Sequence, residues 1–325
     1  IDRLARAPRA PGVDDLPART VGHAHAGDAR AAVRPSDRHR SERSDVRAAF
    51  PWARALICVA LQYDSSPPYS TDSPPDRAWI SRYAWGDDYH DVVRVRLESL
   101  RARVTEELGP CETRVFVDSG PLVERAYAHA AGLGFWGKNA CLIHPEHGSW
   151  IFLGEVVIDL DLSADAPLPD SCGSCSACLG ACPTQALVAP RVLDARRCLS
   201  YLTIEHRGAI AAPYDRALGR HVFGCDICQD VCPWNRRRRR RGPPAFEPRA
   251  GLWAPSLADL AALDEGGFRE RFRGSAVRRT KRRGLVRNTA VALANRGDLE
   301  SRRILERLAE EGDALVAGQA RDALL

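Results

Sequence analysis

The stretch CGSCSACLGACP, residues 172–183, sets four cysteines at gaps of two, two and three residues and closes on a proline. Structural zinc also uses C-x2-C pairs, but its sites bring two such pairs separated by a spacer. Three thiolates at two-residue gaps, then a fourth after three residues and Pro183, form the bacterial iron–sulfur run, whose fourth cysteine serves another cluster. Disulfides fit less well. The chain has eleven cysteines, an odd number, and no secretory leader is read at its start, so a reducing compartment is expected.

That reading demands a second half-motif, and CDICQDVCPW at 225–234 supplies Cys225, Cys228, Cys232 and Pro233. Cys198 in DARRCLSYL is the remaining downstream cysteine and takes the missing place. Crossed ligation then assigns Cys172, Cys175, Cys178 and Cys232 to one [4Fe–4S] cluster. Cys182, Cys198, Cys225 and Cys228 hold the other. Upstream, Cys58, Cys111 and Cys141 are expected to be small buried apolar groups.

Working outward, 325 residues with 45% hydrophobic content allow two or three compact units around real cores. No run of 18 apolar residues suggests a membrane span, and a thiol-rich chain of this kind is expected in the cytoplasm. The net charge is only +5, yet arginine is unevenly placed. Six arginines occupy 236–241, and Arg278, Arg279, Lys281, Arg282, Arg283 and Arg287 follow. The second group, on an expected helix, suggests a polyanionic partner, most simply nucleic acid; the hexa-arginine run reads equally as a solvated segment. No methionine occurs, even at position 1, so the first residue is not expected to be the native start. Residues 1–42 lack sustained periodicity and are expected to be poorly defined.

Between these landmarks, ARALICVALQY (53–63), TRVFVD (113–118) and SWIFLGEVVIDLDL (149–162) read as strands. DYHDVVRVRLESLRARVTEEL (88–108) reads as an amphipathic helix with Val92, Val95, Leu97, Leu100 and Val104 near one face. SGPLVERAYAHAAG reads as a second helix, with Pro121 in its first turn and Gly132 at its end. The alternation predicts an α/β domain over 43–168, a ferredoxin-like insert over 169–240 and a helical, HEAT-like unit over 250–325. Asp118 closes a strand just before a helix, a favoured place for a working carboxylate, although spacing alone reads more simply as a helix cap. GLGFWGKN departs from the phosphate-loop order, since Asn139 follows Lys138. His90, in YAWGDDYH, is by itself more simply a satisfied side chain than a ligand.

Taken together, ISRYAWGDDYH, VFVDSGPLVERA, AGLGFWGKN, FLGE, the cysteine runs and SYLTIE strongly resemble the epoxyqueuosine reductase family, in order, from about residue 43 to near the C-terminus. The resemblance implies reduction of epoxyqueuosine in tRNA to queuosine, with cobalamin and two [4Fe–4S] clusters as cofactors. It implies that Asp118 is the proton donor. Cobalamin contacts are implied for Arg82, Tyr83, Asp88, Tyr89, His90, Gly134, Lys138 and Asn139, and for Ser200 and Tyr201 near the corrin or the tRNA. Glu205 is implied at the tRNA, beside the basic C-terminal residues. An electron-donor protein such as a flavodoxin or ferredoxin, and a monomeric state, are also expected. Removing an epoxide oxygen as water takes two electrons and two protons, and burial is expected to raise the Asp118 pKa enough to keep it protonated part of the time. Two other readings are a corrinoid iron–sulfur reductase of the reductive dehalogenase kind and a non-catalytic ferredoxin-like carrier fused to an RNA-binding module.

Overall fold

The computed structural model describes residues 21–25, 45–236 and 242–325. Most of the segment 1–42 and five of the six consecutive arginines therefore lie outside the described residues. A four-stranded sheet organises the first half: β1 (Val21–His25), β2 (Ala55–Gln62), β3 (Thr113–Phe116) and β4 (Ile151–Ile158). Their spatial order is β1-β2-β4-β3, with every pairing antiparallel. The expected strand–helix alternation is present, but its strands do not pair in sequence order. β2 and β3 both run against β4, so they are parallel to each other with β4 inserted between them, a split βαβ arrangement. Residues 21–25, expected to lie in a poorly defined segment, pair along β2 from Val21 opposite Val59 to His25 opposite Ala55.

All eight residues of β2 are buried because helices cover both faces of the sheet. On one face, Ala55, Ile57, Val59 and Leu61 meet Val93, Leu97 and Val104 of α1 (Tyr89–Leu108). Val95, expected on that buried side, is 66% exposed. It lies roughly half a turn from Val93 and Leu97 at 3.6 residues per turn. On the other face, Leu56, Cys58 and Ala60 meet Ala126, Tyr127 and Ala130 of α2 (Glu124–Ala130). α2 begins three residues beyond Pro121, which leaves 117–123 as a loop carrying Asp118.

Short helices in the cysteine-rich region include α3 (Ala177–Ala181), α4 (Leu199–Ile204) and α5 (Ile227–Asp230). The C-terminal region ends in α6 (Lys281–Arg296), α7 (Leu299–Ala309) and α8 (Ala314–Leu324). α6 is buried continuously from Gly284 to Leu293, as a central post packed by α7 and α8. One apolar cluster joins Ile80, Trp85 and Phe223 to Phe272, Leu285 and Leu305. Asn288 on α6 donates to the carbonyls of Thr203 and Val222, both at 2.8 Å. The helical region is thereby tied to the cysteine-rich region by buried hydrogen bonds as well as by apolar contact.

Candidate active site and cysteine clusters

The eight downstream cysteines gather as two sets. Cys172, Cys175, Cys178 and Cys232 line a hollow of about 220 Å³ with Lys138, Asn139 and Trp234. Cys182, Cys198, Cys225 and Cys228 lie within each other's electrostatic reach; burial and then neighbouring thiols push Cys198 and Cys225 upward in pKa, and Cys141 and then burial push Cys228 upward. Backbone N–H groups point at the sulfurs. Ala186 donates to Cys182 Sγ at 3.2 Å and Lys138 to Cys172 Sγ at 3.4 Å. Cys198 precedes α4, and the N–H groups of Ser200 and Tyr201 near its sulfur offset part of the upward push of burial. Among the described residues no three His, Cys, Asp or Glu side chains are gathered tightly enough to hold a single metal ion. A zinc ion draws its sulfurs onto one centre, whereas a cubane seats each sulfur on its own iron and needs a wider ring. What fits two four-iron clusters is the donor set itself, four thiols in each group with those of the first lining one hollow.

Cys141, expected as a buried apolar group, stands with its thiol beside Cys228 instead. The turn that brings it there is the glycine-rich segment. A Cβ on Gly134 would fall 2.7 Å from the Ile143 carbonyl oxygen, so only glycine allows this close return of the chain. Within the turn, Lys138 Nζ donates to the carbonyls of Gly173 (2.7 Å) and Cys175 (2.8 Å), and Asn139 donates to the Cys228 carbonyl (3.3 Å). Lys138 and Asn139 thus bind the cysteine loops.

A cleft of about 910 Å³ opens between the sheet and the helical region. Tyr83, Asp88, Tyr89, His90 and Asp118 line one side; Ser200, Tyr201, Glu205, Arg278 and Arg279 line the other. A smaller hollow of about 380 Å³ shares Tyr83, Tyr89 and Asp118 with it and runs toward Cys141 and Gln229. Asp118 sits at φ 55°, a left-handed conformation that costs a non-glycine residue energy. The Tyr89 hydroxyl donates to Asp118 Oδ2 at 2.6 Å, and His90 Nε2 lies 3.5 Å from the same oxygen. His90 Nδ1 is 2.7 Å from Asp88 Oδ1, and Asp88 also caps α1 by accepting the His90 N–H. Tyr89 stacks flat on Phe152 with ring centres 4.4 Å apart.

These contacts reverse the protonation expected at Asp118. Its side chain is 60% exposed, and hydrogen bonds from His90 and then Tyr89 hold its pKa below the usual carboxylate range, against partial burial. The proton resides on His90 instead, pushed up to about 9 by its bonds to Asp118 and Asp88. Asp118 is not a helix cap, since α2 starts at Glu124 after Val123.

Several expected contacts lie elsewhere. Arg82 is 2% exposed: it pairs with Asp64 at 3.3 Å, donates to the Ser65 carbonyl and stacks on Trp85, with no face toward the cleft. Arg287 is fully buried and donates to the carbonyls of Leu202, His206 and Gly208, so it has no surface to offer a phosphate. Arg282 is bound to Glu311 (2.5 Å) and Arg283 to Asp313 (3.4 Å). Arg278, Arg279 and Lys281 remain exposed, and Arg279 is paired through two bonds with Glu205. Sequence reading missed Glu124 and Glu155. The Glu124 carboxyl accepts the Asp118 N–H, and Glu155 is completely buried on β4. FLGE and VDSGPLVERA contain both residues, but nothing in either run signals that the two carboxyls meet.

A carboxylate–histidine–tyrosine group beside two cysteine sets, each suited to an iron–sulfur cluster, defines an iron–sulfur redox enzyme. Residues 171–235 match the 4Fe-4S double cluster binding domain, and residues 43–119 match the family described as Epoxyqueuosine reductase QueG, DUF1730. The epoxyqueuosine reductase of Xanthomonas campestris pv. campestris is 45% identical over 260 residues, covering 79% of this chain and 73% of that protein. That of Gloeobacter violaceus is 46% identical over 269 residues, covering 80% and 82%. The chain belongs to the epoxyqueuosine reductase family. A crystal structure of an epoxyqueuosine reductase with an epoxyqueuosine-modified tRNA-Tyr stem loop superposes with a TM-score of 0.84 at 31% identity, over 94% of this chain and 85% of that one. The Bacillus subtilis epoxyqueuosine reductase, solved with its aspartate-bearing catalytic loop swung out of the active site, gives 0.84 at 30% identity, over 93% and 85%.

Proposed function

We propose that this chain reduces epoxyqueuosine in tRNA to queuosine, with Asp118 and His90 managing the proton that the departing oxygen needs. The observation that carries the reading is the cleft itself. It sets the His90–Asp118–Tyr89 group opposite a rim holding Arg278 and Arg279, an acid facing cations across a space wide enough for a nucleotide.

Two iron–sulfur clusters fit the two cysteine sets, with Cys172, Cys175, Cys178 and Cys232 holding one and Cys182, Cys198, Cys225 and Cys228 the other. Cobalamin suits the paired hollows, which share Tyr83, Tyr89 and Asp118 and offer one large planar group both aromatic and hydroxyl contacts. Tyr83, Tyr89, Ser200 and Tyr201 would hold it. Bound there, cobalamin supplies a reduced cobalt centre for the two-electron chemistry, with electrons delivered singly through the clusters.

The protein's own share is binding, orientation and protons. Arg278, Arg279 and Lys281 attract phosphates of the anticodon stem-loop. The Tyr89 hydroxyl, fixed by its stack on Phe152, orients the Asp118 carboxyl. His90 holds a proton at neutral pH and passes it through Asp118 to the epoxide oxygen as its C–O bond opens, which avoids a bare alkoxide. We read the chain as a catalytic unit over 43–168, a two-cluster unit over 169–240 and a HEAT-like unit over 250–325, where three helices pack side by side. A monomer in the cytoplasm, taking electrons from a flavodoxin or ferredoxin, suits this arrangement; among the described residues no helix is long and apolar enough to cross a membrane.

The test is direct. Anaerobically reconstituted protein with cobalamin, reductant and an epoxyqueuosine-bearing stem-loop should yield queuosine by nucleoside mass spectrometry. Asp118→Asn should retain cobalamin and iron while losing about 10²-fold or more in turnover. Fully loaded protein that leaves epoxyqueuosine intact would sink the reading.

A further inference from the structure

The reaction consumes two protons, and the His90–Asp118 pair accounts for one. A second proton-bearing group stands behind the Asp118 loop. Glu155 lies opposite Cys58 on β2 and Phe116 on β3, in the middle of the sheet, with no solvent exposure. Among the described residues, neither of its carboxyl oxygens accepts a hydrogen bond from a fixed donor. What faces it is another carboxyl, that of Glu124 on α2, within hydrogen-bonding reach. Ionised carboxylates only accept hydrogen bonds, so two of them can bond only if a proton lies between them. Leaving both ionised in the interior would add like-charge repulsion to the cost of burying each charge.

Glu124 also opens toward the chemistry. It lines the smaller hollow with Asp118, Tyr89 and Arg125, while its carboxyl accepts the Asp118 N–H. Building on the reading given under Proposed function, we propose that Glu124 is the second acid of this site, held in place by the proton it shares with Glu155. The balance closes. Opening the epoxide to the alkene takes two electrons, supplied by the redox cofactors, and two protons onto the oxygen, which leaves as water. His90 gives the first through Asp118, and Glu124 gives the second. Solvent entering the hollow returns a proton to Glu124, so Glu155 keeps its own throughout and remains a neutral donor.

The surroundings suit this assignment. Burial, then the charge of Asp118, push Glu124 up to about 7, against the pull of the Asp118 N–H, Glu155 and His90. Burial, then Glu124 and Asp118, push Glu155 well above the carboxylate range. The other titratable groups facing the pair are Cys58 from β2, itself pushed up by burial and both glutamates, and Tyr89 and His90 from α1. An acid half-protonated near neutral pH is well matched to giving up a proton there.

Infrared spectroscopy of the cofactor-free protein tests the pair without any turnover. A protonated carboxylic C=O band should titrate near pH 7, vanish in Glu124→Gln, and leave a second, pH-insensitive band that Glu155→Gln removes. In the loaded enzyme, Glu124→Gln keeps an acceptor for the Asp118 N–H, yet turnover should fall about 10²-fold. The decline in rate above about pH 7 should disappear with it. Absence of any protonated carboxyl band in the wild type would overturn the proposal. Wild-type turnover in Glu124→Gln, where Asp118→Asn is inactive, would also overturn it while leaving the reductase reading intact. If loaded wild-type protein converts no epoxyqueuosine, the reductase reading falls, and with it the second-acid assignment.

Discussion

The Tyr89 hydroxyl donates a 2.6 Å hydrogen bond to the Asp118 carboxylate while the Tyr89 ring lies parallel to Phe152 of the central strand. The Asp118 carboxylate, on an exposed loop at a left-handed backbone angle, is thereby anchored to an inner strand of the sheet. A hydrogen bond to a charged group contributes roughly 1.5–3 kcal/mol, and about 1.4 kcal/mol corresponds to tenfold in rate. Tyr89→Phe should therefore lower kcat about tenfold, with the Asp118 pKa rising toward its ordinary value. An unchanged kcat in stopped-flow single turnovers would show that the stack alone orients Asp118.

His90 makes a pH prediction whose sign is fixed. Its pKa is raised from about 6.5 to about 9 by Asp118 and Asp88. A raised histidine pKa gives stability that is fully present below about 6.5 and lost as pH rises through about 9. Thermal unfolding followed from pH 6 to 10 should show that loss, and His90→Gln should flatten it. The same substitution should remove the fall in activity near pH 9.

Crossed ligation makes a counting prediction. Wild-type protein should carry about eight irons, and Cys172→Ser/Cys232→Ser should keep about four because both residues serve one cluster. Cys228→Ser/Cys232→Ser should keep almost none, although those residues are neighbours in sequence. If the second pair retained half the iron, each run would hold its own cluster.

The basic residues separate by exposure. Arg278→Ala/Arg279→Ala should reduce the salt slope of tRNA binding by about 1.4–1.8, at roughly 0.7–0.9 per lost phosphate contact. Arg287→Ala should instead strand three buried carbonyls and lower stability by about 3 kcal/mol in urea melts. Equal salt slopes in wild type and the double variant would mean that the rim arginines serve only Glu205 and the local surface.

These outcomes mark how far the chain could be read in advance. The grouping of the cysteines into two sets was legible because it is written in gaps of two and three residues. Asp118 was legible in place but not in protonation, because its pKa is set by His90, 28 positions earlier. Arg287 looked like its basic neighbours because a helix buried on all sides carries no amphipathic stripe to betray which charges turn inward. The Glu124–Glu155 contact needs the register of β4 between β2 and β3, and that register is a property of the folded sheet rather than of any local motif.

The inserted position of β4 also imposes an order of assembly. β2 and β3 have no hydrogen bonds to each other, so while the chain is still being made they wait with an open slot between them. The slot fills only when residues 151–158 emerge, and the cysteine run at 172 follows within about twenty residues. The strand that closes the sheet, buries Glu155 and seats Phe152 beneath Tyr89 is therefore synthesised just ahead of the first cluster ligands. The strand that holds Phe152 and Glu155 thus precedes every cysteine of the two runs in the order of synthesis.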